Sequence, residues 1–343
     1  MDSQPDYKRK ELNLDDYVDG IKQNNRAMLA RAITLVESNA TKHFSLAQDV
    51  VTQIMPLTGK SIRIGITGVP GAGKSTFIEA LGTMLCEQGH KVAVLAVDPS
   101  SSLSHGSILG DKTRMERLSR HPSAYVRPSP AGGTLGGVAR KTRETLLLCE
   151  AAGYDVIIVE TVGVGQSEIA VRSMVDCFLL LMLTGAGDEL QGMKKGIMEM
   201  VDIMLINKAD GKNKQAADQA KVELSRILHM IPPVTEGWET MVQTVSALHE
   251  TGIDECWKTI CAFRDHMKET HQFEKRRMQQ ATNWLYSLIE EQLLSRFYEN
   301  NTVKKQLPLM RENVLSGQIS ATKAALTLIK DFENRNMKLQ SEK

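Results

Sequence analysis

One corner of the sequence restricts the fold more than any other. Gly65 to Ala80 reads "GITGVPGAGKSTFIEA", with a β-branched run before it and an apolar segment of helical spacing after it. Within it, Gly68, Val69, Pro70, Gly71, Ala72, Gly73, Lys74 and Ser75 match the spacing GxxxxGK[ST]. Glycines here let successive backbone N–H groups curl toward one point at the start of the next helix, where donors converge on phosphate oxygens. In such a loop Lys74 brings its cation to the β- and γ-phosphates, Ser75 offers a hydroxyl to Mg2+, and Thr76 is placed for a nearby phosphate oxygen.

The remaining pattern agrees with a strand-loop-helix opening. "KVAVLAVD", "YDVIIVE", "CFLLLML" and "DIMLIN" are nearly continuous apolar runs with helical segments between them. Strands of that kind are buried on both faces, which requires helices on both sides. The expected fold is therefore α/β, a P-loop NTPase with a mainly parallel sheet covered by helices, preceded by N-terminal helices and followed by a C-terminal helical extension. The spacing assigns 1–55 to an N-terminal helical segment, 56–265 to the P-loop domain and 266–343 to a C-terminal helical arm. In the arm, Trp284, Leu285, Leu288, Ile289, Leu293 and Phe297 fall on one helical stripe. That stripe either packs within its own domain or meets another subunit.

Charge narrows the partners. Forty-two Lys plus Arg against 41 Asp plus Glu leave a net charge of +1, so no global field points to nucleic acid or a membrane surface. The longest apolar run, Cys177 to Leu183, is far shorter than a membrane-spanning helix. Five scattered cysteines without a CxxC pair fit reduced, buried thiols. The acidic first twenty residues lack the marks of a targeting segment.

A phosphate loop alone does not choose between kinase, ATPase and GTPase. Asn207-Lys208-Ala209-Asp210, at the end of "DIMLI", has the form NKxD, and Ser246-Ala247-Leu248 follows farther on. A carboxylate at Asp210 can accept from both N1–H and the exocyclic amine of guanine, a donor pair that adenine lacks on that edge. The Lys208 stem can lie along the base, Asn207 can tie neighbouring loops together, and the Ala247 N–H can donate to guanine O6. The expected substrate is GTP.

Groups that sense the γ-phosphate belong where parallel strands end. Asp98 ends "VLAVD", and Glu160 followed by Gly163 forms ExxG at the end of "VIIVE". Either carboxylate can hold Mg2+ or orient the attacking water, and the Gly163 N–H can contact the γ-phosphate. The plainer alternatives are a turn former before Pro99 and a solvent-facing strand end. Asp111 or Thr113 is a further candidate metal ligand. Asp188, Glu189, Gln191, Lys194 and Lys195 follow two glycines and form a third candidate nucleotide-sensitive segment, the alternative being an exposed helix start. "GGTLGG" lacks the Lys of a second phosphate loop and reads as a hinge or turn.

Seven blocks in order, "GVPGAGKST", "VLAVDPSS", "GDKTRM", "RPSPAGGTLGG", "ETVGVGQSE", "DELQGMKKG" and "NKAD", closely resemble the ArgK/MeaB/MMAA family of SIMIBI-class P-loop GTPases. The resemblance implies a homodimeric GTPase, joined through its C-terminal helices, that serves adenosylcobalamin-dependent methylmalonyl-CoA mutase. Such a chaperone gates cobalamin delivery and protects or reactivates the mutase, with the adenosyltransferase that supplies cobalamin as a further partner. It also implies that Asp98, Asp111 and Glu160 serve Mg2+ and hydrolysis, and that Asp188 to Lys195 is a switch facing the mutase. "EKRRMQQATNWL" and "TVKKQLPLM" look closer to the animal members, which implies the mitochondrial matrix; bacterial cytoplasm is the alternative. No cysteine-rich or His-rich metal site accompanies these blocks, which disfavours nickel or zinc delivery. The competing functions are a small-molecule kinase related to amino-acid transport and an interaction module that binds nucleotide without turnover.

Overall fold

The computed structural model describes residues 12–97, 115–128, 135–161, 166–184 and 195–341. Its sheet comprises β1 (Ile62–Gly68), β2 (Val92–Val97), β3 (Ala124–Arg127), β4 (Val156–Thr161), β5 (Cys177–Met182), β6 (Ile203–Ile206) and β7 (Met241–Thr244). The spatial order is β3-β2-β4-β1-β5-β6-β7, and every neighbouring pair is parallel. β1 is therefore central, with β4 and β5 on its two sides.

Period-two alternation explains the apolar runs. Ile62, Ile64 and Ile66 of β1, Val92 and Val94 of β2, and Val156 and Ile158 of β4 pack on one face with Phe77, Ile78, Leu81 and Leu85 of the helix that follows the glycine loop, α4 (Lys74–Glu87). Trp257, Ile260 and Phe263 of the helix Ile253–Glu269 complete that layer. The alternate residues Ala93, Leu95, Val97, Ile157 and Val159 face a second core. Each side chain of this size, once fully buried, contributes about 1.5–3 kcal/mol.

The second core includes the N-terminal helices α1 (Leu14–Lys22), α2 (Arg26–Glu37) and α3 (Thr41–Ile54). Val18, Ile21, Leu29, Ile33, Val36, Val50 and Ile54 are all buried there. Local chemistry starts these helices: Asn13 accepts from the Asp16 N–H at 2.8 Å while Asp16 accepts from the Asn13 N–H at 3.0 Å, a reciprocal cap. Asn25 caps α2 by accepting from the N–H groups of Ala27 and Met28.

Two compact units result, Met1–Arg277 and Met278–Lys343. The first takes in the N-terminal helices and the helix Ile253–Glu269 as well as the sheet. Asp176, just before β5, accepts two hydrogen bonds from the Arg277 guanidinium at 2.8 and 2.6 Å and one from the Arg63 N–H at 2.8 Å. In the second unit, the helix Asn301–Leu315 is capped by Asn300, and Ala321–Ser341 follows it.

All five cysteines are free, and all but Cys261 are buried. Burial pushes the Cys86 thiol up to about 11 and the Cys256 thiol up to about 12, so both remain protonated at neutral pH. Among the described residues, no helix is long and apolar enough to cross a membrane.

Candidate functional site

Backbone crowding decides where the loop glycines must be. β1 ends at Gly68 with φ +150°, and a Cβ there would lie 2.3 Å from the Leu181 carbonyl oxygen on β5. Gly73 precedes α4 at φ +86°, and a Cβ on it would come within 2.6 Å of Asn207 Nδ2. The chain thus turns from the central strand straight into a helix N-terminus, the geometry that presents backbone N–H groups to an anion.

Lys74 is buried and folds back across its own loop. Its Nζ donates to the Gly68 carbonyl at 2.7 Å and reaches that of Val69 at 3.4 Å. Ser75 Oγ donates to Glu160 Oε1 at 3.2 Å, bringing the first turn of α4 to the end of β4. Glu160 is itself buried, which sets aside the solvent-facing strand end as its environment. Below it, the Thr161 hydroxyl donates to the Thr67 hydroxyl at 2.9 Å and locks β4 to β1. Val69 and Ser75 are partly buried, Ala72 is buried, and Pro70, Gly71 and Thr76 are exposed around the loop.

Asn207 joins this loop to the second motif. It is buried, its Nδ2 donates to the Ala72 carbonyl at 2.7 Å, and its Oδ1 accepts from the Ala247 N–H at 3.1 Å. One amide therefore ties the glycine loop, the NKAD loop and the SAL loop together. The Ala247 N–H, read from sequence as a donor for guanine O6, is engaged by Asn207 here. Asp210 accepts a hydrogen bond from Ser246 Oγ at 2.5 Å, which orients the carboxylate. The Ala209 N–H donates to Val245 at 3.0 Å, and Lys208, exposed, has the left-handed φ of +59°. Leu248 is exposed beside them.

These residues form a strip along the carboxyl ends of β1, β4, β5, β6 and β7, where open parallel sheets bind ligands. A hydroxyl and a carboxylate beside the glycine loop are hard oxygen donors of the kind Mg2+ takes. Asp98, Asp111, Thr113, Gly163, Asp188, Glu189, Gln191 and Lys194 lie outside the described residues. Two further side chains beside the NKAD loop, Thr184 and Asn213, escaped the sequence reading: Asn213 donates to the Lys208 carbonyl, and only the fold brings Thr184 to Asn213.

Comparison with known proteins adds to this geometry. The family described as methylmalonyl-CoA mutase-associated GTPase MeaB matches residues 29–302. A probable GTPase of Mycobacterium tuberculosis is 50% identical over 319 residues, covering 92% of this chain and 95% of that protein. The mouse protein named methylmalonic aciduria type A homolog, mitochondrial, is 47% identical over 327 residues, covering 92% of this chain and 79% of its own. Among solved structures, that of a LAO/AO transport system kinase is similar with a TM-score of 0.77 at 38% identity, covering 94% of this chain and 100% of that one.

Proposed function

The chain belongs to the family of methylmalonyl-CoA mutase-associated GTPases, and from that premise we propose that its GTP cycle serves an adenosylcobalamin-dependent methylmalonyl-CoA mutase. It is a P-loop GTPase. The proposed task is to gate delivery of the cobalamin cofactor and to protect or reactivate the mutase, with the adenosyltransferase that supplies cobalamin as a further partner. The observation that carries the reading is the Asn207 clasp, which sets a phosphate loop and a guanine-type NKAD loop against each other in one site.

In this site Lys74 exchanges the Gly68 and Val69 carbonyls for β- and γ-phosphate oxygens when nucleotide enters. Ser75 and Glu160 would hold Mg2+, with Asp98 and Asp111 as further candidate ligands. When bound, the cation neutralises negative charge on the transferring phosphate. Glu160 is also placed to orient the attacking water, as is Asp98 by its position in the sequence. Asp188, Glu189, Gln191 and Lys194 would report the γ-phosphate to the mutase, and the Gly163 N–H would contact it.

The decisive experiment follows labelled γ-phosphate from GTP or ATP with and without the mutase. The expected result is release of phosphate from GTP, faster when the mutase is present. Transfer to a small acceptor would instead support a small-molecule kinase, the activity in the name of the LAO/AO structure. Tight binding without release would leave an interaction module.

The second unit carries the proposed homodimer contact. Leu285, Ile289 and Leu293, one turn apart on a helical face, are 56%, 46% and 58% exposed, and a contiguous apolar face of this kind marks an interaction surface. Replacing Ile289 and Leu293 with Asp should turn a dimer into a monomer in sedimentation experiments while GTP still binds. A wild-type monomer at micromolar concentration, or a variant that stays dimeric, would refute this interface. The compartment proposed is the mitochondrial matrix, supported by the name of the mouse relative, which places that protein in the mitochondrion; bacterial cytoplasm is the alternative, since another relative is from a bacterium.

A further inference from the structure

Among the described residues, Lys208 is one of four non-glycine residues with a left-handed backbone, at φ +59°. That conformation disfavours an L-residue with a long side chain and persists only where surrounding contacts hold it. Asn213 makes such a contact. Its Nδ2 donates to the Lys208 carbonyl at 2.7 Å, and its backbone N–H donates to the Asp210 carbonyl at 2.9 Å. Asn213 thus bonds to residues on either side of Ala209 and spans the NKAD turn from outside.

The amide of Asn213 is oriented in turn. Thr184, two residues beyond the end of β5, donates its hydroxyl to Asn213 Oδ1. The Lys208 carbonyl only accepts, so Nδ2 faces it and Oδ1 faces the Thr184 hydroxyl, which donates; a flipped amide would set two acceptors against each other at Lys208. Asn213 is half-buried and terminates a short 3-10 turn, Gly211–Asn213. Its own backbone is ordinary, with φ −86° and ψ −11°, so the turn does not require asparagine for conformational reasons.

We infer that Asn213, oriented by Thr184, is a positioning residue for base recognition: it holds Lys208 left-handed so that the Lys208 stem and the Asp210 carboxylate meet the purine together. This rests on the reading of the NKAD loop as the guanine site. Asn213 touches no nucleotide in this scheme and acts through Lys208 and Asp210. Loss of its donor lets Lys208 relax toward negative φ and turns the two recognition groups out of register. Phosphate contacts at the glycine loop are left in place, so the loss falls on the base.

The test uses the full chain and fluorescent GDP and ADP as probes. Asn213→Ala and Asn213→Asp should each weaken GDP binding about tenfold, the size of one or two lost hydrogen bonds, and leave the weak ADP binding unmoved. The preference for GDP over ADP then falls by the same factor, and KM for GTP rises far more than kcat falls. Thr184→Val should give part of this loss, and Thr184→Ser, which keeps the hydroxyl, should recover it. Melting of the nucleotide-free variants serves as the control for folding. An Asn213→Ala variant with an unchanged GDP-to-ADP ratio overturns the inference, as does one that loses GDP and ADP binding in equal proportion. Wild-type protein that binds ADP as tightly as GDP overturns the guanine reading itself, and this inference with it.

Discussion

Lys74→Ala is expected to abolish Mg·GTP binding and, with it, hydrolysis. Lys74 Nζ is held over the loop by the Gly68 carbonyl at 2.7 Å, within a buried site, so its charge is already aimed where β- and γ-phosphates would lie. Hydrogen bonds to charged groups contribute roughly 1.5–3 kcal/mol each, and losing two of them weakens binding at least about a hundredfold. Alanine also leaves the phosphates facing the Gly68 and Val69 carbonyls without a cation between them, which adds repulsion.

Thermal melting separates this from a folding defect. Nucleotide at a hundred times its dissociation constant stabilises the native state by about 2.7 kcal/mol. Wild-type protein should therefore melt at higher temperature with nucleotide than without. The variant should melt close to the nucleotide-free wild type and gain nothing from nucleotide. The loss of the Nζ hydrogen bonds to the Gly68 and Val69 carbonyls is offset by removing a buried charge, so the empty protein changes little. A Lys74→Ala protein that hydrolyses GTP at the wild-type rate would contradict the role given to the lysine.

How much of this was legible in the sequence follows from burial. β2, β4, β5 and β6 are covered on both faces, so they display little polar surface and read as apolar runs. β3 and β7 are the sheet edges, four residues each, and "AYVR" and "MVQT" are only partly buried. Strand runs that short, with partial solvent contact, cannot be told from loop by periodicity. The N-terminal helices were visible as helices, but their share in one core with β2 and β4 depends on packing across the chain.

The site shows the same division. Gly68 and Gly73 were legible because their positive φ favours glycine, while the close approaches of Leu181 and Asn207 that also require it come from the fold. The NKAD and SAL loops were legible as residue types, and the proposal that Asn207 joins loops has a counterpart in its bonds to Ala72 and Ala247. What no spacing rule contains is the partner of each atom. The Ala247 N–H bonds to Asn207, the Ser246 hydroxyl to Asp210, and Thr184 reaches Asn213 across 29 positions. Those contacts exist only once β5, β6 and β7 are side by side.

Asp210→Asn is expected to move the base preference from guanine toward xanthine. The carboxylate offers two acceptor oxygens to the N1–H and 2-amino groups of guanine. In asparagine one of these oxygens becomes an amide N–H, which faces the 2-amino group as donor against donor. Xanthine carries a carbonyl at that position, so the same amide makes two matched bonds with it. Losing one hydrogen bond to a charged acceptor at roughly 1.5–3 kcal/mol, reducing the other to a neutral bond and setting donor against donor together predict a fall in GTP affinity of about a hundredfold, with xanthosine triphosphate binding more tightly than to wild type. The fold should tolerate the change, because Ser246 Oγ, which donates to Asp210 Oδ2, can donate to an amide oxygen or accept from an amide nitrogen. Calorimetric titration of both nucleotides against both proteins reads the outcome directly. An unchanged GTP affinity in the variant removes Asp210 from base recognition, and equal affinity of wild type for GTP and ATP removes guanine selection from the loop altogether.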